Sequence, residues 1–298
     1  MRNRIVGNRK TLIFGAGFSG KAYGAILAAK GETIFGTTRS AEKSGRLAQL
    51  GISPLVFDGQ TLSTELALHL NDITDLIISI APDETGGGDP VLNASKNQLL
   101  NMPNLEWVAY LSTVGVYGNH DGAWVDENTT CLPVSARSKE RLEAEQNWQS
   151  FANQKNVPLA TLRLSGIYGP GRNGLKNMVD GTARRLVKPG QVFNRIHNAD
   201  IAGALDLLSA QRADGIYNVT DDLPAPPQDV VEYAAFVTNL DCPEAIDFET
   251  ATLSPMARSF YGENKRVSNT KLKQAGYIFK YPNYRAAFDQ MWAQNNWK

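Results

Sequence analysis

A chain of 298 residues with thirty basic and thirty acidic side chains has no formal net charge, which gives no argument for nucleic acid or an anionic membrane as a partner. Its apolar fraction of 42% and charged fraction of 20% are typical of a globular protein, and its length predicts one large domain or two joined domains. No stretch approaches the roughly 18 consecutive apolar residues of a membrane span, so we expect no membrane contact. With only two cysteines, a reducing cytoplasm is the expected compartment.

Short apolar runs alternate with amphipathic stretches through the first half of the chain. The runs TLIFG, ETIFGT, PLVFD, DLIISIA and EWVAYLST predict five strands, and LATLRLS and GIYNVT predict a sixth and a seventh. Helices are predicted between them, with Ser40 as the N-cap of the second helix. This alternation predicts βαβ units and an α/β fold with a doubly wound parallel Rossmann sheet. From about residue 170 the alternation decays, which predicts a smaller C-terminal α/β domain.

The stretch TLIFGAGFSGKAYGAI, between the first strand and the first helix, contains two overlapping phosphate-binding patterns. Gly15, Gly17 and Gly20 spell G-x-G-x-x-G, in which the glycines permit a tight turn, the approach of a pyrophosphate and the packing of helix on strand. Gly15 and Gly20-Lys21 also begin a P-loop, but Ala22 stands where that motif needs Ser or Thr for Mg²⁺. We therefore expect the turn to hold a dinucleotide at the N-terminus of the helix. The alternative is a set of glycines that serves a tight turn only.

The end of the second strand indicates which nicotinamide cofactor is bound. An NAD-binding unit ends this strand in Asp or Glu, which bonds the ribose 2′-hydroxyl, whereas this chain has Thr38, Arg39 and Ser40. Arg39 can make a charge-assisted contact to a 2′-phosphate that a carboxylate would repel. NADP(H) is therefore predicted over NAD(H), unless Arg39 is an ordinary loop arginine. At the end of the third strand, Asp58 can either accept from the adenine amino group or cap a helix.

Seven further stretches carry motifs along nearly the whole chain: YLSTVGVYG, WVDENTTCLP, SARSKERLEAE, LRLSGIYGPGR, NRIHNADIAGAL, GIYNVTDDLP and KRVSNTKLKQAGY. In this order they resemble the extended and atypical short-chain dehydrogenase/reductases, the NAD(P)-dependent epimerase/dehydratase family. The resemblance implies an NADP-binding Rossmann domain over 1–170, to which 198–220 return, and a substrate-binding domain over 171–197 and 221–298. It also implies a small-molecule substrate in the cleft between the domains, and it is compatible with a homodimer.

Members of this family transfer hydride with a Ser or Thr and with a Tyr and a Lys spaced Tyr-x-x-x-Lys. The resemblance places Thr113 and Lys139 at the Ser/Thr and Lys positions, but Ser135 stands where the tyrosine belongs. A serine hydroxyl is a far weaker acid than a phenol, whose ordinary pKa is about 10, and it lacks the reach of the ring. Tyr117, Tyr168 or an ordered water can be expected to replace the acid. A second possibility is a substrate that needs little proton help, and a third is a protein that kept cofactor binding and gave up turnover.

The motifs and the resemblance together give a set of expected site residues. The cofactor-binding set is Gly15, Gly17, Phe18, Ser19, Gly20, Thr38, Arg39, Ser40, Asp58, Ala81, Lys139 and Ile167, and the substrate-binding set is Tyr168, Arg172 and His197. From the residues alone, Lys139 is also typical of a solvated helix face, Thr113 of a core hydroxyl and Arg172 of a surface loop. The isolated histidines give no metal spacing, so no metal is expected. The predicted function is an NADP(H)-dependent oxidoreductase or epimerase/dehydratase acting on a sugar-nucleotide-like or small carbonyl substrate. The alternative is a non-catalytic NADP(H)-binding redox sensor.

Overall fold

The structure is a computed structural model that describes residues 9–40, 42, 44–83 and 87–298. The strands are β1 (Lys10–Phe14), β2 (Thr33–Thr38), β3 (Ser53–Val56), β4 (Asp75–Ile78), β5 (Trp107–Thr113), β6 (Trp124–Val125), β7 (Leu159–Leu164), β8 (Gly166–Tyr168), β9 (Arg185–Val187), β10 (Arg195–His197), β11 (Gly215–Val219), β12 (Ala245–Asp247) and β13 (Arg266–Val267). The helices are α1 (Phe18–Ala29), α2 (Ser44–Ala48), α3 (Thr64–His69), α4 (Pro90–Leu100), α5 (Ala136–Lys155), α6 (Gly174–Val179), α7 (Asn198–Gln211), α8 (Pro227–Thr238), α9 (Pro255–Phe260), α10 (Thr270–Gln274) and α11 (Tyr284–Ala293).

Seven strands form one parallel sheet in the order β11-β7-β5-β4-β1-β2-β3. In the centre of this sheet β1 pairs with β2 on one side and β4 on the other, so that Leu12 is in register with both Phe35 and Leu76. The strand order reverses at β1, and a doubly wound sheet binds ligands outside the carboxyl ends of its strands at such a point. The predicted doubly wound α/β fold is therefore confirmed.

The apolar runs of the strands are explained by helices on both faces of the sheet. Leu12, Ile13 and Phe14 of β1 are fully buried, as are Ile77 and Ile78 of β4. Strands that are covered on both faces read as continuous apolar runs because no position faces water. These runs form the rigid part of the fold, and the loops at their carboxyl ends are free to carry the site.

The chain divides into two compact units, whose bounds differ from the predicted domain bounds. The first unit contains the described residues up to 113, 136–163 and 201–217, and the second contains 114–135, 164–200 and 218–298. Segment 114–135 belongs to the second unit, where β6 pairs with β13, and 164–170 belongs there because β8 pairs with β10. A third parallel pair, β9 with β12, completes the small sheets of this unit.

The second helix differs in its start from the prediction. It begins at Ser44, and residues 41 and 43, which precede it, lie outside the described part of the chain. Ser40 is therefore not directly joined to α2 as its N-cap. Among the described helices, none is both long and apolar enough to span a bilayer.

Candidate functional site

The glycine turn between β1 and α1 is shaped by three different requirements at its three glycines. Gly15 has a φ of +85°, which only glycine adopts without strain, and its N–H donates to Thr37 Oγ1 at 2.8 Å. A side chain at Gly20 would lie 2.9 Å from the carbonyl oxygen of Gly15 and 3.0 Å from Ile13 Cγ2, so this glycine lets the helix pack on the strand. A side chain at Gly17 would meet only the Gly15 oxygen, at 3.9 Å. The surface over Gly17 is therefore open to a ligand.

Helix α1 presents an anion-binding end at this turn. It runs for 12 residues from Phe18, and within the described part of the chain no side chain caps its N-terminus and no acidic residue lies in its first turn. Uncapped N–H groups and the positive end of the helix dipole attract phosphate. The open surface at Gly17 and the uncapped helix together fit the pyrophosphate of a dinucleotide.

A cavity of about 1010 Å³ lies at this turn within the first unit. This is at the upper end of the roughly 300–1,000 Å³ of small-molecule and cofactor sites. Of the expected cofactor residues, those that line it are Gly15, Gly17, Phe18, Ser19, Thr38, Arg39, Asp58 and Ala81. Gly20, Ser40, Lys139 and Ile167 are not among its lining residues. Gly20 is instead a buried packing position, Lys139 is exposed, and Ile167 lies in the second unit.

The cavity also has lining residues that sequence reasoning missed. Arg46 on α2 lines it together with Glu42, Gln60, Ser79 and Ile80. Only the position of Arg46 in the short helix that follows the β2 loop could have indicated its role, because nothing in its local pattern separates it from a solvated arginine. Arg39 and Arg46 are both exposed, and neither makes an ion pair within the described residues. Two guanidinium groups without an ion pair therefore line the cavity with Thr38, and the carboxylates of Glu42, Asp58 and Asp83 line it as well.

Asp58 does not cap a helix, since Ser63 is the N-cap of α3. Its carboxylate instead accepts from the backbone N–H groups of Gln60 (2.8 Å) and Thr61 (3.2 Å), which lower its pKa. The charged carboxylate therefore shapes the loop after β3 and at the same time lines the cavity. The contact of Asp58 with adenine therefore stays a prediction, whereas the alternative that Asp58 caps a helix is excluded.

The expected catalytic residues Thr113 and Lys139 are carried by elements that one buried carboxylate joins. Glu145 of α5 accepts from Ser112 Oγ at 2.5 Å and forms an ion pair with Arg163 of β7 at 2.7 Å. Ser112 precedes Thr113 at the end of β5, and Lys139 lies on the same helix as Glu145. Lys139 is exposed and Thr113 half-buried. The anchoring of α5 to β5 and β7 fixes the two elements that carry them.

Tyr117, the expected substitute acid, is enclosed in the second unit. Its side chain is fully buried with Val125 and Val267, and its hydroxyl donates to Asn218 Oδ1 at 2.7 Å. Asn218 is itself held by its N–H, which donates to Glu127 Oε1 at 2.8 Å. A general acid must reach the proton acceptor of its substrate. The Tyr117 hydroxyl is thus engaged in the core of the second unit, and its role as the substitute acid stays a prediction.

The expected substrate residues divide into a buried pair and an exposed one. Tyr168 and His197 lie opposite each other on β8 and β10, with ring centroids 5.2 Å apart, and are 7% and 2% exposed. Burial raises the pKa of Tyr168 and lowers that of His197 to about 4. Arg172 is exposed in the loop before α6. Of the three residues, only Arg172 is therefore available at the surface for an anionic group.

The comparisons with known proteins agree with this fold. A sequence model of the NAD dependent epimerase/dehydratase family matches residues 11–220. A conserved protein of unknown function from Silicibacter pomeroyi DSS is similar at 45% identity and a TM-score of 0.87, with 96% of this chain and 99% of that chain covered. No curated protein sequence matched significantly.

Two further solved structures share the fold at lower identity. UDP-glucose 4-epimerase of Thermus thermophilus, in complex with NAD, is 19% identical with a TM-score of 0.73, over 95% of this chain and 98% of that chain. Human epimerase family protein SDR39U1 (isoform 2), with NADPH, is 17% identical with a TM-score of 0.73, over 95% and 99%. The family match spans more than half of the chain, and its first strand and glycine turn are those described above. The chain belongs to the NAD-dependent epimerase/dehydratase family.

Proposed function

We propose that this protein is an NADP(H)-dependent oxidoreductase of the short-chain dehydrogenase/reductase type, acting on a small carbonyl or sugar-nucleotide-like substrate. The observation that carries the cofactor preference is the pair Arg39 and Arg46, which line the cavity without acidic partners among the described residues. Strand β2 also ends in Thr38, not in the carboxylate that bonds an NAD ribose. A dianionic 2′-phosphate gains more from two guanidinium groups than a hydroxyl does.

The residues of the cavity fit the rest of a dinucleotide. The N–H groups at the start of α1 would hold the pyrophosphate over Gly17, where the backbone is open. Arg39 and Arg46 would hold the 2′-phosphate, and Asp58 lines the cavity on the neighbouring strand end. The nicotinamide supplies or accepts a hydride when bound. NADPH in the human neighbour and NAD in the Thermus neighbour support a nicotinamide cofactor here, and the arginines favour the phosphorylated form.

The proton that accompanies the hydride is the weak point of an ordinary reductase mechanism in this chain. The resemblance places Ser135 at the tyrosine position, and the Tyr117 hydroxyl donates to Asn218. Tyr168 is buried and its raised pKa makes it a poorer acid. This favours a substrate that needs little proton assistance, with Lys139 and Thr113 in their family roles of orienting ribose and substrate oxygen.

The same observation supports a second candidate function, an NADP(H)-binding redox sensor without turnover. A sensor requires the cofactor cavity and does not require the acid that Ser135 has replaced. It would bind a partner with different affinity when it holds NADP⁺ or NADPH. We also propose a cytoplasmic location, because a chain with only two cysteines is typical of a reducing compartment.

Turnover distinguishes the two functions. NADPH oxidation is measured by the absorbance of the reduced nicotinamide across a panel of small carbonyl compounds and nucleotide-linked keto sugars. The panel is run with the native chain, with Ser135→Tyr, which restores the phenol, and with Ser135→Phe, which restores only the ring. A reductase shows a substrate-dependent rate in the native chain, and the tyrosine variant raises it because general acid catalysis contributes about 10²–10⁴-fold. No rate in any variant, together with NADPH binding, supports the sensor.

A further inference from the structure

Among the buried polar atoms of the second unit that have no hydrogen-bond partner within the described residues, four belong to residues in or next to β8, β10 and β11. They are Ser165 Oγ, Tyr168 Oη, His197 Nε2 and Asp221 Oδ2. The exposed fractions of these residues are 4%, 7%, 2% and 1%. A buried polar atom without a partner is costly and rare, and several of them together call for a common ligand.

The backbone brings three of these side chains to one place. Strands β8 and β10 are parallel with Tyr168 opposite His197 and Gly166 opposite Arg195, so Tyr168, His197 and Arg195 point to one face. Asp221 follows β11, and its N–H donates to the carbonyl of Arg195 at 2.7 Å. This bond ties the backbone of Asp221 to β10, and the Asp221 carboxyl acts electrostatically on Tyr168.

The protonation states of the two rings make them donors. His197 Nδ1 accepts from the N–H of Ala199 at 3.1 Å, so this nitrogen carries no proton. Burial and the charge of Lys280 lower the His197 pKa to about 4, so the ring is neutral at pH 7 and its proton lies on Nε2. Burial raises the pKa of Tyr168, which keeps the phenol protonated. Both rings therefore carry a proton, and Asp221, whose Oδ1 accepts from the Leu223 N–H at 3.1 Å, has its Oδ2 without a partner among the described residues.

We propose that Tyr168, His197 and Asp221 hold an internal water in the second unit. A buried water makes two to four hydrogen bonds to polar groups that have no other partner. His197 Nε2 and the protonated Oδ2 of Asp221 donate to its oxygen, and the water donates to Tyr168 Oη, since a phenol oxygen can also accept. The site lies outside the proposed cofactor cavity and does not depend on the proposed function. It also gives Tyr168 and His197, expected to bind substrate, a structural role.

The site has a consequence for the dependence of stability on pH. Burial raises the Asp221 pKa from 3.8 to about 8, opposed by the Leu223 N–H and Arg195 and assisted by the carboxylates of Asp222 and Asp200. The other groups that face this region are the two rings, the charge of Lys280 on His197, and Tyr281. The folded chain therefore keeps a proton that the unfolded chain loses above about pH 4. Stability from this group is present at low pH, falls as the pH rises towards 8, and is constant above that.

The test for Asp221 is urea unfolding between pH 5 and pH 8. Relative to Asp221→Asn, the native chain and the control Asp241→Asn, which replaces an exposed aspartate of the same unit, are expected to lose folding equilibrium constant with rising pH, because the opposite slope that the lowered pKa of His197 gives is common to all three. One proton difference gives up to about tenfold per pH unit. Asp221→Asn, which stays neutral, should lose this part of the slope. An unchanged slope in Asp221→Asn overturns the assignment of the proton. If that variant does not fold, ¹³C-aspartate labelling of the native chain decides. One carboxyl resonance should titrate near pH 8. If no carboxyl resonance titrates above pH 6, the assignment of the proton to Asp221 is overturned.

The water itself is tested by Tyr168→Phe. If the hydroxyl bonds a held water, the variant loses a net hydrogen bond and its folding equilibrium constant falls about two- to twelvefold. If the hydroxyl has no partner, removal of a buried unpaired group leaves the constant unchanged or raises it, and the proposed water is excluded. The second result overturns the water site even where Asp221 proves to be protonated.

Discussion

Glu145 on α5 and Arg163 on β7 form a buried ion pair, with 2.7 Å between Oε2 and Nη2 and side-chain exposures of 7% and 4%. Ser112 donates to the same carboxylate at 2.5 Å. Thr113 follows Ser112 at the end of β5, and Lys139 lies on α5. The two elements that carry the expected catalytic residues of the first unit are therefore tied to one another by a single carboxylate.

Glu145→Ala is expected to lower the free energy of unfolding by about 3–5 kcal/mol, because it leaves the Arg163 guanidinium buried without its carboxylate. Urea unfolding measures the loss. The control is Asp180→Ala, which breaks the exposed pair of Asp180 with Lys176 and should cost no more than about 1 kcal/mol. Equal losses in the two variants would show that the buried pair does not anchor α5.

Gly17→Ala and Gly20→Ala should separate nucleotide binding from folding. The added methyl at residue 17 meets only the Gly15 oxygen at 3.9 Å, so stability should stay within about 1 kcal/mol while the pyrophosphate loses its approach. The methyl at residue 20 meets backbone at 2.9 Å and should cost about 1–3 kcal/mol by overpacking. Thermal unfolding and NADPH titration together measure both effects. Native affinity in Gly17→Ala would contradict the proposed pyrophosphate position.

Arg39→Ala and Arg46→Ala should each weaken the binding of NADPH far more than the binding of NADH. Each removes one charge-assisted contact to the 2′-phosphate, worth about 1.5–3 kcal/mol, or roughly 10- to 150-fold in Kd. Arg184→Ala, an exposed arginine of the second unit whose guanidinium donates to the Thr252 carbonyl, is the matched control and should change neither affinity. Equal losses for NADPH and NADH would remove the argument for NADP(H).

Tyr117→Phe should lower stability without changing the chemistry. Its hydroxyl donates to Asn218 Oδ1, and the variant leaves that buried acceptor unpaired at a cost of about 1–3 kcal/mol. Any NADPH oxidation rate, measured well below the unfolding temperature, should be that of the native chain. A rate lost entirely in a folded Tyr117→Phe protein would return Tyr117 to the role of acid.

The sequence was sufficient for the fold and for the glycine turn because both are local patterns. Apolar runs predict buried parallel strands, and G-x-G-x-x-G between β1 and α1 predicts a turn whose φ and packing only glycine satisfies. Arg46 was missed because its place at the cavity depends on how α2 returns towards the strand ends. No periodicity encodes that return.

The buried residues were harder to assign from sequence. Tyr117 and His197 stand in motifs of the expected family, yet both side chains are enclosed by contacts from distant parts of the chain. Asn218 holds Tyr117 from 101 residues away, and Tyr281 packs on the His197 ring with centroids 4.0 Å apart. Likewise, nothing in the sequence singles out Asp221, because its pKa is raised by burial, which exists only in the folded chain.

The most direct test of the proposed cofactor site is calorimetric titration of the native chain with NADPH, NADH and Mg-ATP, side by side. Tight binding of NADPH, much weaker binding of NADH and no binding of Mg-ATP is the result expected from the open surface at Gly17 and the two arginines. Binding of Mg-ATP, or of none of the three, would contradict a dinucleotide site at this turn, and the proposed oxidoreductase and sensor functions would both fail with it.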